Sequence, residues 1–446
     1  MTGVSDVGFH SMVDLAKGTV ERKIFSDPDI YQMELERVFA RAWNFMCHES
    51  QIPNPGDFFL NFIGEESVIA TRDRTGKLQV FLNTCRHRGN AVCRADSGNT
   101  RSFLCTYHGW TYGLDGKLIG VPGYKELYHE KLDRSQWGLI SAAKVESYKG
   151  FVFATMDPEA PELEEFLGPT GRFGIDMLAL RGTLKAVNGV QKNVIGCNWK
   201  MAVDNIYDMY HADVSHASAT RLGYRTRPIE LRDKAEHRVQ VGEYGHGIGG
   251  SRMTQRGWDY LEKVRRGEKP PVELMLQEDW RLQPEVAGLL GEMIDQKGNS
   301  NLFPNLWITF SQVCLRLPKG ANRTELWWFT LVPDEYDAER RREIMDRANH
   351  YFGPAGMLEQ DDGENWDQST RGMKGVVGQR YPLNYQMNLG QGEVKKTKAG
   401  HTYTDTNVNE HAQLWTWRCW ADWMNAKSWP ELKAHHTTPP AVDETL

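Results

Sequence analysis

Short apolar runs, separated by turn residues, fill most of the first third of the chain. Phe58–Ile63, Ser67–Thr71 and Leu78–Leu82 are rich in aromatic and β-branched residues, as strands of a half-buried sheet are. The pair Asp115-Gly116 lies between two further apolar segments and is typical of a hairpin turn. This part of the chain is therefore predicted to form a small, all-β domain.

The apolar spacing changes in the remainder of the chain. Residues 184–194, 301–316 and 325–333 are predicted to be strands. Apolar residues three and four positions apart instead predict helices, over residues 172–181, 338–352, 357–374 and 409–424. An earlier helix is predicted to start with Asp27 as its cap and to run through Arg41.

These patterns predict an α+β fold in three parts. Residues 1–42 are expected to form an N-terminal arm and helix. Residues 43–157 are expected to form the small β domain. Residues 158–446, which begin with a boundary rich in proline and glutamate, are expected to form a larger domain of helices and strands.

Two cysteine–histidine pairs form the strongest chemical signal. Cys85 and His87 make the first pair, and Cys105 and His108 make the second. Two thiolates and two imidazoles bind either one tetrahedral zinc ion or a two-iron cluster. Zinc fingers usually pair cysteine with cysteine, whereas a Rieske [2Fe–2S] centre has two cysteines on one iron and two histidines on the other. Mixed pairs favour the Rieske cluster, with structural zinc as the alternative.

A second group of candidate ligands lies in one short span that contains Asp208, His211 and His216. On a helix with about 100° per residue, Asp208 and His211 share a face and are close enough to interact. His211 and His216 would lie about 140° apart, so both could face one metal only if the helix ended between them. This span alone leaves open a metal site or two unrelated histidines.

A third segment has four acidic residues in six positions, beginning at Glu359. Such a run usually forms a solvated face. A 2-His-1-carboxylate triad, which leaves open positions on Fe(II), would need one carboxylate from a segment of this kind. Asp361 and Asp362 point about 100° apart on a helix, so only one of them is expected to be a ligand.

Composition narrows the class of protein further. The chain has 446 residues, a formal charge of −6 and no long basic run, which argues against nucleic acid as a partner. Seven cysteines without a dense framework suit a reducing cytoplasm. The N-terminus lacks the apolar core of a signal peptide, and no apolar run approaches the length of a membrane span. We therefore expect a cytoplasmic protein without a membrane partner.

Five motifs occur together along most of the chain: Cys85-Arg86-His87-Arg88-Gly89, Cys105-Thr106-Tyr107-His108-Gly109-Trp110, Cys197-Asn198-Trp199-Lys200, Asp208-Met209-Tyr210-His211 with His216, and Glu359-Gln360-Asp361-Asp362-Gly363-Glu364-Asn365-Trp366. In this order they resemble the motifs of the large (α) subunits of Rieske non-haem iron ring-hydroxylating dioxygenases, of the naphthalene, biphenyl and toluene type. The resemblance implies that residues 43–157 are a Rieske domain and that residues 158–446 are a catalytic domain, in which helices flank an antiparallel sheet and on which residues 1–42 pack.

The resemblance implies a role for each chemical motif. It implies four ligands for one [2Fe–2S] cluster, two cysteines on one iron and two histidines on the other: Cys85, Cys105, His87 and His108. It implies three ligands for one mononuclear Fe(II): His211, His216 and Asp362. In the family, the acid that Asp208 matches bridges a cluster histidine of one subunit to an iron histidine of its neighbour. A carboxylate that accepts from both imidazoles would orient them and couple the two metals.

The resemblance also places five residues near the substrate pocket: Asn205, Ile206, Ala212, Phe352 and Leu358. Most of them are apolar, which favours a neutral arene, although ordinary core positions are the alternative. The family often has one more residue between its polar pocket position and the bridging acid, so Asp204 has the expected spacing and Asn205 departs from it. The arginines that follow the second iron histidine could instead anchor an aromatic carboxylate: Arg221, Arg225 and Arg227.

The implied reaction is the dihydroxylation of an aromatic ring by O₂ to a cis-dihydrodiol. Electrons would come from NAD(P)H through a separate reductase and ferredoxin, and the chain itself has no recognisable nucleotide-binding loop. The family also suggests a small β subunit and an α₃β₃ assembly. A Rieske monooxygenase or demethylase would use the same metals. An electron-transfer protein would use the Rieske domain alone.

Overall fold

The computed structural model describes residues 8–208, 210–223, 237–268, 278–406, 408–435, 439–440 and 445. The chain forms two compact units, one of residues 35–163 and one of residues 1–34 with 164–446. The predicted α+β class is confirmed, with a small β unit and a larger unit of helices and antiparallel sheet. The predicted domain boundaries at 42/43 and 157/158 stay a prediction.

The smaller unit contains three antiparallel sheets. Their strands, sheet by sheet in spatial order, are Lys144–Tyr148, Phe151–Thr155 and Asn44–His48; Leu118–Gly120, Thr111–Tyr112 and Phe103–Leu104; and Leu78–Leu82, Glu66–Arg72, Asp57–Ile63 and Ser97–Asn99. The three strands predicted first are therefore confirmed to within one residue. The predicted hairpin forms as well, and Gly116 in its turn has a φ of 79°, a left-handed conformation that favours glycine.

The larger unit is built on a ten-stranded antiparallel sheet. Its strands in spatial order are Leu184–Ala186 with Gln191–Ile195, Thr324–Pro333, Gln312–Pro318, Leu306–Thr309, Asn299–Leu302, Gly247–Ser251, His237–Val241, Thr402–Thr406 and Val394–Lys396. A separate three-stranded sheet joins Val13–Asp14, Thr19–Val20 and Leu383–Asn384.

Helices of the larger unit pack on the sheet, and His211 and His216 lie at the ends of two short ones. The bounds of the α-helices are Pro28–Glu34, Leu163–Ala179, Trp199–Asp204, Ala212–Ser215, Ala217–Arg221, Gln255–Arg265, Pro284–Leu290, Ala338–Tyr351, Met357–Met373, His411–Asn425 and Trp429–His435. Among these described helices, none is long and apolar enough to cross a membrane.

Several predicted elements differ from the observed ones. The prediction of a single strand over residues 184–194 was wrong. Gly189, with a φ of 97°, lies between two shorter strands that both pair with Thr324–Pro333. The strand predicted over 301–316 is three strands joined by tight turns. Asp27 does cap the first helix, accepting from the Asp29 N–H at 2.8 Å, but the α-helix ends at Glu34 and continues as a π-helical turn.

A buried ion pair fixes the N-terminal helix within the larger unit. The Lys200 ammonium donates to Glu34 at 2.5 Å, and both side chains are fully buried. The indole N–H groups of Trp199 and Trp420 also donate to this carboxylate, at 2.8 Å each. A buried charge without such partners is costly, so breaking these contacts would be unfavourable. They therefore hold together the helices Pro28–Glu34, Trp199–Asp204 and His411–Asn425.

Candidate active site

Two loops of the smaller unit have matching backbone structures. The Gly89 N–H donates to the Cys85 carbonyl at 2.8 Å, and the Gly109 N–H donates to the Cys105 carbonyl at 2.9 Å. Both glycines have φ values near 75°, a conformation that residues with a Cβ rarely adopt. A glycine four positions after each cysteine thus closes a tight turn that contains the histidine of that loop.

The structure brings together the four residues predicted to bind the cluster. Cys85 and Cys105 are buried, and the ring centroids of His87 and His108 lie 4.5 Å apart. The Trp110 indole stacks on His87 with ring centroids 5.1 Å apart. The His87 Nδ1 is buried without a hydrogen-bond partner among the described residues, as expected for an atom available to a metal.

Hydrogen-bond donors surround the two sulfur atoms. The Tyr112 hydroxyl lies 3.3 Å from the Cys85 sulfur, and the Asn90 amide lies 3.6 Å from the Cys105 sulfur. Burial opposes ionisation of Cys105, but backbone N–H groups and Asn90 outweigh it and lower the pKa of this thiol. Since the thiolate is the form that binds metal, these surroundings fit a cluster held by cysteine.

The second site depends on a break in a helix. The helix Ala212–Ser215 stops at His216, whose φ of −99° and ψ of 27° are not helical, and a new helix begins at Ala217. This break allows two rings that a continuous helix would separate to face one point. The Nε2 atoms of His211 and His216 lie 3.1 Å apart.

Asp362 completes this group of ligand atoms. Its Oδ1 lies 3.4 Å from the Nε2 atoms of both His211 and His216. One atom from each of the three residues lies within 4.8 Å of the others, which is the spacing expected around one metal ion. Burial raises the pKa of Asp362 to about 7, although His211 opposes that shift. A cation at this point would favour the ionised carboxylate.

Asp208 lies against the other edge of the His211 ring. Its carboxylate is hydrogen-bonded to His211 Nδ1, the nitrogen that does not face Asp362. Burial alone would lower the pKa of His211, but the contact with Asp208 raises it overall. The cluster histidine that Asp208 is predicted to contact belongs to a neighbouring subunit.

The predicted pocket residues are buried, with Asn205 as the exception. Phe352 stacks on Trp328 with ring centroids 4.7 Å apart and meets Trp307 edge-on at 5.0 Å. Ile206, Ala212 and Leu358 are also buried, which fits both a pocket wall and ordinary core packing.

The two candidates for the polar position next to the pocket, Asn205 and Asp204, have different surroundings. Asn205 ends the helix Trp199–Asp204 and is partly exposed. Asp204, the residue with the spacing found in the family, accepts from the Trp417 indole at 2.6 Å and from the Tyr385 hydroxyl at 3.1 Å. Arg221 is exposed, and Arg225 and Arg227 lie outside the described residues.

Two acids near the site were not assigned from the sequence. Glu359 is buried and accepts from the Gly353 N–H at 2.6 Å, so the acidic segment is not a solvated face throughout. Asp361 lies 3.3 Å from His216 Nδ1. The burial of Glu359 could have been predicted from its helical spacing with Asp362 and Trp366, since these residues lie on the buried face of the helix. That spacing does not predict the contact of Asp361.

Comparison with known families defines the class of protein. Residues 42–147 match the family described as the Rieske [2Fe-2S] domain, and residues 175–426 match the ring hydroxylating alpha subunit (catalytic domain). The two matches together define a Rieske oxygenase and imply a Rieske cluster and a non-haem iron. The residues described above fit both groups.

Individual relatives agree with this class. Biphenyl dioxygenase subunit alpha of Paraburkholderia xenovorans (strain LB400) is 35% identical over an alignment of 460 positions, which covers 97% of this chain and 96% of the relative. Benzene 1,2-dioxygenase subunit alpha of Pseudomonas putida is 34% identical over an alignment of 443 positions, which covers 95% of each chain. The structure of naphthalene 1,2-dioxygenase with indole bound in the active site matches with a TM-score of 0.84 at 28% identity, covering 96% of this chain and 97% of that one.

The chain therefore belongs to the family of ring-hydroxylating dioxygenase alpha subunits, which are oxidoreductases, and the resemblance predicted from its motifs is confirmed. A quaternary ammonium Rieske monooxygenase in complex with L-carnitine has the same fold, with a TM-score of 0.64 at 19% identity over 91% of this chain and 95% of that one. The fold is thus common to dioxygenases and monooxygenases.

Proposed function

We propose that this chain is the terminal oxygenase subunit that adds both atoms of O₂ to an aromatic ring and produces a cis-dihydrodiol. The observation that carries this proposal is the convergence of His211, His216 and Asp362 on one point, with their ligand atoms within 4.8 Å of one another. Two imidazoles and one carboxylate leave positions on Fe(II) open for O₂. The relatives named as dioxygenases support the dihydroxylation in particular.

We propose ligands for both metal groups. The cluster would be held by two cysteines and two histidines, Cys85, Cys105, His87 and His108, and the mononuclear iron by His211, His216 and Asp362. When bound, the cluster supplies stored electrons and the iron supplies O₂ binding and activation. The protein's own contribution is to fix the donor atoms before the metals bind.

Asp208 would act through the histidines. Its contact with His211 Nδ1 holds the proton on that nitrogen and leaves Nε2 as the metal-binding atom. We propose that the same carboxylate accepts from a cluster histidine of a neighbouring subunit. Asp208 would then link the two metal sites across the subunit boundary.

The substrate proposed is a neutral arene. Phe352 and its neighbours Trp307 and Trp328 form an aromatic group whose rings are 4.7 to 5.0 Å apart. Aromatic and apolar walls bind flat apolar ligands and exclude water. Ile206, Ala212 and Leu358 are proposed to contribute to this wall, and Asn205 to lie at its polar edge.

The overall reaction requires two electrons and two protons besides O₂. We propose that the electrons come from NAD(P)H through a reductase and a ferredoxin. A small β subunit, an α₃β₃ assembly and a cytoplasmic location complete the proposal, on the strength of the family. Exposed arginines beside the cluster loops would suit an acidic electron donor: Arg88, Arg94 and Arg101.

The iron assignment is tested with Asp362→Ala and, as a matched control, Glu364→Ala, which changes an exposed acid on the same helix. We expect Asp362→Ala to lose the mononuclear iron while keeping the visible absorbance of the cluster, and Glu364→Ala to keep both. An unchanged iron count in Asp362→Ala would show that the ligand assignment is wrong.

The reaction is tested by giving arenes and aryl carboxylates to the reduced protein with O₂. A product heavier than its substrate by two oxygen and two hydrogen atoms supports the dioxygenase and identifies the substrate class. A product with one added oxygen, or with formaldehyde lost, supports the alternative of a monooxygenase or demethylase.

A further inference from the structure

We propose that Asp361 is a positioning residue of the mononuclear iron site, where it orients His216 so that Nε2 faces the metal. The proposal rests on the iron site described under the proposed function. Its basis is the contact between an Asp361 carboxylate oxygen and His216 Nδ1, at 3.3 Å. Neither the family motifs nor the spacing of the acids distinguished this role from solvation.

The two histidines of the site have equivalent surroundings. Asp208 contacts Nδ1 of His211, and Asp361 contacts Nδ1 of His216. A neutral imidazole has one N–H and one lone pair, so a carboxylate at Nδ1 holds the proton there and leaves the lone pair on Nε2. Each iron histidine therefore has its own carboxylate, and the two Nε2 atoms face each other at 3.1 Å.

The position of Asp361 excludes it as a ligand of the same metal. It contacts His216 at Nδ1, whereas Asp362 Oδ1 lies 3.4 Å from Nε2 of the same ring. Consecutive helical residues point about 100° apart, so the two carboxylates reach different edges of one imidazole. The side chain of Asp361 is 34% exposed and that of Asp362 is 7% exposed. The buried Asp362 is therefore the proposed ligand, and the more exposed Asp361 is the proposed orienting residue.

His216 lies at the break between two short helices, Ala212–Ser215 and Ala217–Arg221, where its own backbone is not helical. Its side chain is only 5% exposed, so the groups that contact its ring determine which nitrogen faces the metal site. A contact from the helix Met357–Met373 ties the ring to the same element that supplies Asp362.

The test uses the full chain with its cluster in place. Fe(II) affinity is measured anaerobically against a competing chelator for wild type, Asp361→Ala, Asp361→Asn and Glu364→Ala. We expect Asp361→Ala to bind Fe(II) about 10- to 100-fold more weakly, because the ring loses its anchor. Asp361→Asn should recover most of the affinity, since its amide oxygen still accepts from Nδ1, and Glu364→Ala should match wild type.

Two further measurements separate orientation from folding. The electron paramagnetic resonance spectrum of the ferrous site with nitric oxide should change in Asp361→Ala and return toward wild type in Asp361→Asn. The thermal unfolding midpoint of the iron-free protein should be similar in all four proteins.

The proposal is overturned by wild-type Fe(II) affinity in Asp361→Ala, or by a loss of affinity that follows a lowered unfolding midpoint and that Asp361→Asn does not restore. Asp362→Ala distinguishes these failures from a failure of the proposed function. If Asp362→Ala loses iron, the site itself stands and only the role of Asp361 falls. If Asp362→Ala keeps iron, the iron site is wrong.

Discussion

At the scale of single residues, the proposed mononuclear iron site would depend on which nitrogen of each histidine carries the proton. Asp208 and Asp361 each contact an Nδ1 atom, on the side of the ring away from Asp362. A carboxylate in this position both orients the imidazole and makes Nε2 a better metal ligand. The acids that surround the site thus have different tasks although they are of the same residue type.

The role of Asp208 is tested by Asp208→Asn. The amide oxygen can still accept from His211, so we expect the iron count and the cluster absorbance to stay at wild-type values. Loss of the carboxylate that links the two metals should reduce turnover to a small fraction of the wild-type rate. Wild-type turnover in this variant would show that Asp208 does not bridge the centres.

The carboxyl group of Asp204 should make the stability of the protein depend on pH. Burial raises the pKa of Asp204 to about 7, although the Trp417 indole opposes that shift. Between the ordinary pKa of an aspartate, about 4, and this raised value, the folded state binds the proton more tightly than the unfolded state does. The stability that Asp204 contributes therefore falls as the pH rises through this window.

Asp204→Asn should remove that dependence, because its amide oxygen still accepts from Trp417 and Tyr385 without becoming charged. We expect its unfolding midpoint to rise relative to wild type between pH 5 and pH 8, in iron-free protein. A difference between the two proteins that is constant over this range would show that Asp204 does not titrate there.

Sequence reasoning selected the candidate ligands but not their surroundings. The cysteine–histidine pairs and the group His211, His216 and Asp362 could be selected because the motifs occur in a fixed order. The contact of Asp361 could not, because it depends on how a helix more than a hundred positions along the chain packs against His216. A one-dimensional pattern cannot show which edge of a ring an acid will meet.

At the scale of elements, the site is held by a broken helix, a long helix and a glycine-rich strand. The strand Gly247–Ser251 passes so close to the segment before Asp208 that a Cβ on Gly249 would lie 2.8 Å from the Tyr207 Cα. Only glycine allows this approach. The strand therefore helps to set the position of the adjacent Asp208.

Gly249→Ala tests this packing. The added methyl group would displace the Tyr207 backbone, so we expect a loss of about 1–3 kcal/mol in the free energy of unfolding and a lower turnover rate. The control is Gly372→Ala on the helix Met357–Met373, where a Cβ meets nothing within 4 Å. That change should stabilise the protein by about 0.5–1 kcal/mol. Equal effects of the two substitutions would contradict the account of the strand.

Element boundaries were predicted less well than element types. Residues 184–194 and 301–316 were each predicted as one strand, although the turn residues Asn188-Gly189 and Pro304-Asn305 interrupt their apolar positions. The helices at 338–352 and 357–374 were predicted to within a residue of Ala338–Tyr351 and Met357–Met373, because their buried positions recur regularly. The strands Leu306–Thr309 and Gln312–Pro318 are buried along their whole length, so their sequences lack such a period.

At the scale of the whole molecule, one chain contains both a Rieske [2Fe-2S] domain and the catalytic domain of a ring hydroxylating alpha subunit. The matches over residues 42–147 and 175–426 assign these domains in the order predicted from the motifs. Substrate identity could not be predicted in this way, since it depends on the shape of a pocket formed by side chains from several elements. The neutral arene remains a proposal based on the aromatic group around Phe352.

The central claim is that both atoms of one O₂ molecule enter the aromatic product. The direct measurement is a single turnover of dithionite-reduced protein with an arene under a mixture of ¹⁸O₂ and ¹⁶O₂, followed by mass spectrometry of the product. We predict a dihydrodiol that contains either two ¹⁸O atoms or two ¹⁶O atoms, with no mixed species. A product with one labelled oxygen, or with an oxygen from water, would contradict the dioxygenase.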